Sequence, residues 1–339
     1  MDNVIALEKK LLPDLLEVMT KRYHVLQYLR LMGPIGRRGL AANLGMTERV
    51  LRKEVEFLSK QGLVSTTPQG MTLTAEGGKL LDGLEETMKE VSGLRELEDK
   101  LQKRLNLREV IVVPGDSDRA PWVKKDMGRA CIARMNRELT DENVVAVAGG
   151  TTLAAAAELM RPLGGGKSAL FVPARGGLGE RVENQANTIC AEMAQKAEGE
   201  YRLLHVPDQL SSGSYDSLVE EPGVKEVLGL IHSAGIVIHG IGEAKTMAKR
   251  RKSSPELLEK IDRERAVAEA FGYYFDGSGN IVHKVKTIGL QLEDLQTRKA
   301  VLTVAGGASK AEAIAAFFNR GPESVLITDE GAAMELANQ

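Results

Sequence analysis

The chain has 339 residues and a mass of 36.7 kDa, enough for about two domains of ordinary size. Hydrophobic residues make up 43% and charged residues 27%, which excludes a disordered chain. No apolar run approaches the roughly 18 residues of a membrane span. The first residues lack the pattern of an export signal, so we expect a cytoplasmic protein. The two cysteines, Cys131 and Cys190, lie in helix-like patterns and are expected to be reduced core thiols.

Charge is distributed unevenly along the chain. Residues 1–74 hold 11 Lys and Arg against 7 Asp and Glu, whereas residues 75–339 hold 34 against 40. A small basic region on a larger acidic body favours contact of that region with a polyanion, although ordinary surface charge would give a similar imbalance.

The first 74 residues follow the pattern of helices closed by a hairpin. The pattern predicts a helix ending before Gly33, a short helix at 38–44 and a turn at Gly45. A helix capped by Thr47 and ending near Lys60 is predicted next, followed by β-type runs at 63–67 and 71–74. A short helix, a glycine turn and a second helix are typical of a helix-turn-helix.

The second helix of this motif has one apolar and one cationic side. Leu51, Val55 and Leu58 recur on one face, so that face is expected to be buried. The N-terminal half of a recognition helix meets base edges, and the arginine fork matches guanine O6 and N7. We therefore expect a DNA-binding domain over 1–74, with these contact residues: Thr47, Arg49, Arg52 and Lys53.

Residues 75–106 are predicted to form a charged helical linker. Leucine, methionine and valine recur there every three or four residues from Leu84 to Leu105, which gives one apolar stripe. Fewer than four clean heptads are present, so a paired, coiled-coil-like linker and a helix lying on its own domain remain alternatives.

The remainder of the chain, 107–339, alternates short apolar strands with longer helical patterns. Strands are predicted at 110–113, 144–148, 169–172, 201–205, 236–241, 300–304 and 325–327. Helices are predicted between most of them, including 123–139, 152–160, 184–197 and 255–270. Short strands buried on both faces and joined by helices indicate an α/β fold with a doubly wound, mostly parallel, Rossmann-like sheet.

Four of the predicted strands end in glycine-rich loops. The loops are Gly149-Gly150-Thr151-Thr152, 173–177, 240–243 and 306–310, and in a parallel sheet all four would meet at the carboxyl edge, where ligands bind. Glycine lets backbone N–H groups approach an anion, and Arg175, Arg250 and Lys310 supply charge. The pattern indicates a phosphorylated ligand; the alternative is glycine required only for tight turns.

Other sites and cofactors are not indicated by the sequence. The Gly240–Gly242 segment lacks the third glycine of a dinucleotide fingerprint, and Arg161 occupies the first glycine position of a Walker A loop ending at Ser168. The five histidines show no metal-ligand spacing. His239, at a strand end, is expected to have a packing role, with a position facing the ligand site as the alternative. We therefore expect no metal and no cofactor.

Two parts of the sequence resemble known bacterial regulators. The segment from Gly45 to Val64 resembles the winged helix-turn-helix of DeoR-type repressors and departs from the shorter motif of most SorC-type regulators. The body resembles the sugar-binding domain of SorC/DeoR-type transcriptional regulators, which is itself similar to sugar-phosphate isomerases. The motifs that carry the second resemblance lie at 144–152, 172–177, 183–187, 268–279, 304–314 and 326–330.

The resemblance implies a cytoplasmic, homo-oligomeric repressor of glycolytic genes, as a dimer or tetramer. Its partners would be operator DNA and a phosphorylated sugar effector, with fructose 1,6-bisphosphate as the expected one. The resemblance implies effector binding by Gly149, Gly150, Thr151, Thr152, Arg175, Gln185, Arg250, Glu269, Gly307 and Lys310. The alternative is a sugar-phosphate isomerase or deaminase with an accessory DNA-binding head, for which Glu269 and Asp276 would be the candidate bases.

Overall fold

The computed structural model describes residues 10–140, 143–177, 181–207, 212–319, 321 and 324–339. The chain divides into two compact units between Leu97 and Glu98, here called the amino-terminal unit and the carboxyl-terminal unit. The predicted domain boundaries at 74 and 106 remain predictions. In the described residues no helix is both long and apolar enough to cross a membrane.

The amino-terminal unit is a winged helix-turn-helix followed by a further helix. Its elements are α1 (Pro13–Met32), α2 (Arg37–Asn43), α3 (Glu48–Lys60), β1 (Val64–Thr67), β2 (Gly70–Leu73) and α4 (Ala75–Ser92). The two strands form an antiparallel hairpin. Leu51, Val55 and Leu58 of α3 are buried, as the periodicity predicted.

The predicted linker consists of two helices, of which the first lies in the amino-terminal unit and the second spans the division between the units. Helix α4 packs against α1 in the amino-terminal unit, where Arg30 Nη1 lies 2.8 Å from Asp82 Oδ1. Gly93, with a φ of 78°, ends α4 in the left-handed conformation that glycine adopts readily. Helix α5 (Leu94–Arg104) begins directly afterwards and continues across the division between the units.

The carboxyl-terminal unit contains a seven-stranded, fully parallel sheet. Its strands are β3 (Glu109–Val113), β4 (Val144–Val147), β5 (Leu170–Pro173), β6 (Glu200–Tyr201), β7 (Ile236–His239), β12 (Ala300–Val304) and β13 (Val325–Asp329). Their spatial order is β3-β13-β12-β7-β4-β5-β6. The strands β4, β7, β12 and β13 are nearly continuous apolar runs and are almost wholly buried, as strands covered on both faces require. The doubly wound fold predicted from the sequence is confirmed.

Most helices of this unit lie between its strands along the chain, and the last helix follows the final strand. They are α6 (Val123–Glu138), α7 (Thr151–Leu159), α8 (Ala186–Ala197), α9 (Ser212–Glu220), α10 (Pro222–Ser233), α11 (Ala244–Arg250), α12 (Pro255–Arg263), α13 (Ala311–Phe318) and α14 (Glu330–Asn338). Cys131 in α6 and Cys190 in α8 are buried thiols, and neither forms a disulfide.

The helix predicted over 255–270 is wrong in its second half. Helix α12 ends at Arg263, and β9 (Ala266–Ala270) follows in a four-stranded antiparallel sheet with β8 (Gly242–Glu243), β10 (Tyr273–Asp276) and β11 (Ile281–Lys284). Phe271 and Gly272 join β9 to β10 with φ values of 53° and 87°. Two successive residues with positive φ are the requirement of a tight hairpin turn of the I′ type.

Candidate effector-binding cleft and DNA-contacting helix

A cleft opens at the carboxyl edge of the seven-stranded sheet, where β4, β5, β7 and β12 end. It is lined by residues 148–153, 175–176, 184–186, 239–242 and 269–271, with Met247, Arg250, Val304 and Lys310. All four glycine loops predicted from the sequence contribute to this edge, although the last contributes to the cleft only through Lys310. Nine of the ten predicted effector residues line it: Gly149, Gly150, Thr151, Thr152, Arg175, Gln185, Arg250, Glu269 and Lys310.

The first loop presents the start of a helix to the cleft. A Cβ on Gly149 would lie 2.7 Å from the carbonyl oxygen of Asn184, so this position is too close to its neighbour for a side chain. Gly150 has a φ of 128° and gives α7 no side-chain cap. The first-turn N–H groups of α7, with the hydroxyls of Thr151 and Thr152, form an arrangement suited to an anion.

A buried ion cluster forms the base of the cleft. Glu269 Oε1 lies 2.8 Å from Arg251 Nη2 and 3.5 Å from Arg175 Nη1, and it accepts a hydrogen bond of 2.7 Å from the Gly272 amide. Burial alone would raise the pKa of Glu269, but the charges of Arg251 and Arg175 hold the pKa below its ordinary value. The carboxylate therefore stays ionised near neutral pH, and its two arginine partners make it a weaker base than an ordinary glutamate.

Lys310 and Arg250 also line the cleft and extend its positive charge. Lys310 Nζ donates to the carbonyl oxygen of Ile241 at 3.3 Å. Burial lowers the pKa of Lys310, and the nearby charges of Lys124 and Arg250 lower it further. Neighbouring cations repel one another when no ligand is bound. An anion bound between them favours the charged form of each.

The fourth loop departs from the sequence prediction. The Gly307 amide donates to both oxygens of Asp329 at 2.9 and 2.8 Å, and the amides of Ala308 and Ser309 donate to Asp116 and Asp118. Gly307 is also absent from the lining of the cleft. The phosphate contact of Gly307 therefore stays a prediction, and in this structure its amide is hydrogen-bonded to the Asp329 carboxylate.

Two groups beside the cleft were not among the predicted effector-binding residues. Arg251 contacts Glu269 and donates to the Tyr274 hydroxyl at 3.0 Å, and both contacts depend on the unpredicted hairpin. His239 was expected to pack, and it is 1% exposed between Phe271 and Phe317, yet it also borders the cleft. Burial lowers its pKa to about 4.

Asp276, the other candidate base for an enzyme, has a local structural role. Its Oδ1 accepts hydrogen bonds from the amides of Ser278 and Asn280, both at 2.9 Å, within the turn between β10 and β11. Asp276 does not line the cleft.

The predicted DNA-contacting residues lie on one exposed side of α3. Thr47 caps the helix by accepting a hydrogen bond from the Val50 amide at 3.3 Å. Arg49, Arg52 and Lys53 are exposed, and Arg52 Nε lies 2.8 Å from Glu56 Oε1 one turn later. A buried apolar face opposite exposed cations is the geometry of a recognition helix.

Comparison with protein-family models divides the chain into two matched parts. Residues 18–88 match a model described as the CggR N-terminal DNA binding domain, and residues 89–338 match one described as a putative sugar-binding domain.

Relatives and solved structures agree with these matches. The chain is 59% identical, over 99% of both chains, to a protein named the central glycolytic genes regulator of Bacillus subtilis. A putative SorC family transcriptional regulator from Enterococcus faecalis is 47% identical with a TM-score of 0.68, over 71% of this chain and 99% of that structure. The full-length sorbitol operon regulator of Klebsiella pneumoniae shares the fold, with 16% identity and a TM-score of 0.67 over 93% and 97% of the two chains.

These matches identify a transcriptional regulator with a DNA-binding part and a sugar-binding part. The chain therefore belongs to the SorC/DeoR-type family of sugar-binding transcriptional regulators.

Proposed function

We propose that this protein is a repressor of glycolytic genes whose operator binding is relieved by a phosphorylated sugar, with fructose 1,6-bisphosphate as the effector. The name of the Bacillus subtilis relative supports the choice of genes. The observation that carries the effector class is the charge of the cleft, which Arg175, Arg250 and Lys310 line together with one carboxylate, that of Glu269. Glu269 is itself paired with Arg175 and Arg251.

Two features support a bisphosphate over a monophosphate. The start of α7, with Thr151 and Thr152, offers hydrogen-bond donors for one phosphate. Arg175, Arg250 and Lys310 offer charge beyond what one phosphate requires, and arginine can hold phosphate oxygens in pairs. Glu269, as an ionised acceptor beside Gly242, is suited to a sugar hydroxyl.

The operator would be bound by an assembly with two or more DNA-binding heads. Helix-turn-helix proteins read half-sites one helical turn apart as dimers, and we extend this arrangement to α3 with Thr47, Arg49, Arg52 and Lys53. Operator DNA and the sugar phosphate are thus the proposed partners of a cytoplasmic dimer or tetramer.

Operator binding measured by fluorescence anisotropy, with and without sugar phosphates, tests the proposal. We expect fructose 1,6-bisphosphate to weaken operator affinity, fructose 6-phosphate to do so less, and unphosphorylated fructose to have no effect. Equal effects of fructose and its bisphosphate would contradict the effector class. Sedimentation of the protein–DNA complex tests the assembly, since a complex holding a single 36.7 kDa chain would contradict it.

A further inference from the structure

The C-terminal helix α14 is hydrogen-bonded at its start to the loop that carries Lys310. Asp329, which is fully buried, accepts hydrogen bonds from the amides of Gly307, Ser117 and Ala332 at 2.8–2.9 Å. The bond from Ala332 makes Asp329 the N-cap of α14. One carboxylate therefore holds both the loop that carries Lys310 and the first turn of α14. Helix α14 also packs against the turn at 308–310.

The other end of α14 is bonded to helix α5. Lys100 Nζ donates to the carbonyl oxygen of Ala337, and Arg104 Nη1 donates to that of Leu336, both at 2.6 Å. Cations at a helix C-terminus satisfy its unpaired carbonyl groups and complement the helix dipole. Glu98 anchors α5 further, because its Oε1 accepts a 2.9 Å hydrogen bond from Val112 of the edge strand β3.

We propose that α14 transmits the state of the effector cleft to α5, with Lys100 and Arg104 as the coupling residues. The nine residues of α14 span about 13 Å. A movement of the loop that carries Lys310 would displace the whole helix, because Asp329 ties them together. Helix α5 would follow through its two cationic contacts, and its chain leads directly back to the DNA-binding unit. This inference rests on the proposed function, since it names the route by which the same cleft regulates DNA binding.

A purely structural role for these contacts makes a different prediction. Contacts that only hold α5 in place would affect melting temperature and leave the response to ligand unchanged. Coupling residues bias an equilibrium between two arrangements, so their loss changes the ratio of operator affinities with and without ligand.

The test replaces the two cations and measures that ratio with fructose 1,6-bisphosphate as the probe. We expect Lys100→Met with Arg104→Met to reduce the ratio at least threefold, while fructose 1,6-bisphosphate binding without DNA changes less than twofold. Lys103→Met is the matched control, since Lys103 is exposed on the same helix and has no hydrogen bond or ion pair among the residues that the structure describes. The control should keep the ratio of the wild type.

The outcomes separate this inference from the proposed function. A double variant that keeps the wild-type ratio would overturn the coupling role and leave the proposed function intact. A wild-type protein whose operator affinity does not respond to the bisphosphate would overturn both. Arg104→Lys keeps a cationic donor and should retain part of the change in operator affinity that the ligand causes. This variant distinguishes a loss of coupling from a general loss of folding in the methionine variants.

Discussion

Lys310 illustrates, at the scale of one residue, how a binding site can cost stability. Its pKa is lowered by burial and by the charges of Lys124 and Arg250, so the unliganded fold disfavours its charged form. A depressed lysine pKa means that the charge opposes folding, whereas a bound phosphate would reverse that effect. Binding groups of this kind commonly lower stability for the sake of function.

We expect Lys310→Met to separate these two effects. The variant should melt no lower than the wild type without ligand, because it removes a disfavoured charge. Its affinity for fructose 1,6-bisphosphate should fall by about 1.5–3 kcal/mol, the range of a charge-assisted hydrogen bond. Calorimetry and thermal melts measure both quantities. Lys225→Met, at an exposed ion pair with Glu220, is the control and should leave both unchanged; wild-type affinity in Lys310→Met would remove Lys310 from the site.

Arg175 and Arg250 are expected to distinguish a bisphosphate from a monophosphate. If either arginine holds the second phosphate, its alanine variant should lose affinity for fructose 1,6-bisphosphate more than for fructose 6-phosphate. Arg175→Ala leaves Glu269 paired with Arg251, so the ion cluster keeps one of its two cations. Competition binding measures the two losses. Equal losses for both ligands, or none in either variant, would contradict the two-phosphate model.

At the scale of elements, α3 presents its cations because its opposite face is buried. Arg52 is paired with Glu56 one turn along the helix, an exposed contact that contributes little stability. Its replacement should therefore affect DNA binding much more than folding.

The double variant Arg49→Ala, Arg52→Ala should lose specific operator affinity by about 1–3 kcal/mol for each residue that contacts a base. Its melting temperature should stay within a degree or two of the wild type. Lys60→Ala serves as the control, since Lys60 is exposed at the last residue of the same helix. Anisotropy titration against operator and random DNA measures the effect, and unchanged operator affinity would exclude α3 as the recognition helix.

The end of strand β7 makes the stability of the fold depend on pH. His239 Nδ1 lies 3.1 Å from the Gly240 carbonyl oxygen and Nε2 lies 2.9 Å from Thr303 Oγ1, an arrangement for a neutral ring that donates at one nitrogen and accepts at the other. Its folded pKa of about 4 lies below the ordinary 6.5, so the unfolded chain binds the extra proton between these values. The stability given by the neutral ring is complete above about pH 6.5 and decreases as the pH falls towards 4.

We expect this histidine to contribute a slope of about 1.4 kcal/mol per pH unit over that window. Urea unfolding at several pH values measures the slope, and His239→Gln should reduce it. His205→Gln is the control, because His205 is exposed. A slope that is the same in His239→Gln and in the wild type would show that other groups cause the pH dependence.

The sequence predicted the elements whose signals are local and missed those that depend on distant partners. The cap at Thr47, the buried face of α3 and the apolar strands of the parallel sheet follow from propensity and periodicity. Strand β9 was predicted to be helical because its alanines continue the pattern of α12, and its strand conformation depends on pairing with β10 and β8. The carboxylates that accept hydrogen bonds from the Gly307 loop were not predicted for a similar reason, since they come from residues about 190 and 20 positions away.

At the scale of the whole molecule, regulation requires a coupling free energy between the effector cleft and the DNA-binding helix. The two lie in different units, separated in sequence by the α5 segment. If the effector weakens operator binding by some factor, linkage requires the operator to weaken effector binding by the same factor. Coupling energies of this kind usually amount to about 1–3 kcal/mol, a five- to 150-fold change.

We therefore expect fructose 1,6-bisphosphate to bind the free protein more tightly than the operator complex, by the same ratio that anisotropy gives for operator affinity. Calorimetric titration of both forms measures this ratio, and random DNA of equal length is the control for non-specific charge effects. Because phosphate contacts make DNA binding steeply dependent on salt, both titrations must share one ionic strength. Equal effector affinity with and without operator, alongside effector-dependent operator binding, would violate linkage for one ligand at one site. That result would contradict a model in which operator binding is coupled only to effector binding in the cleft.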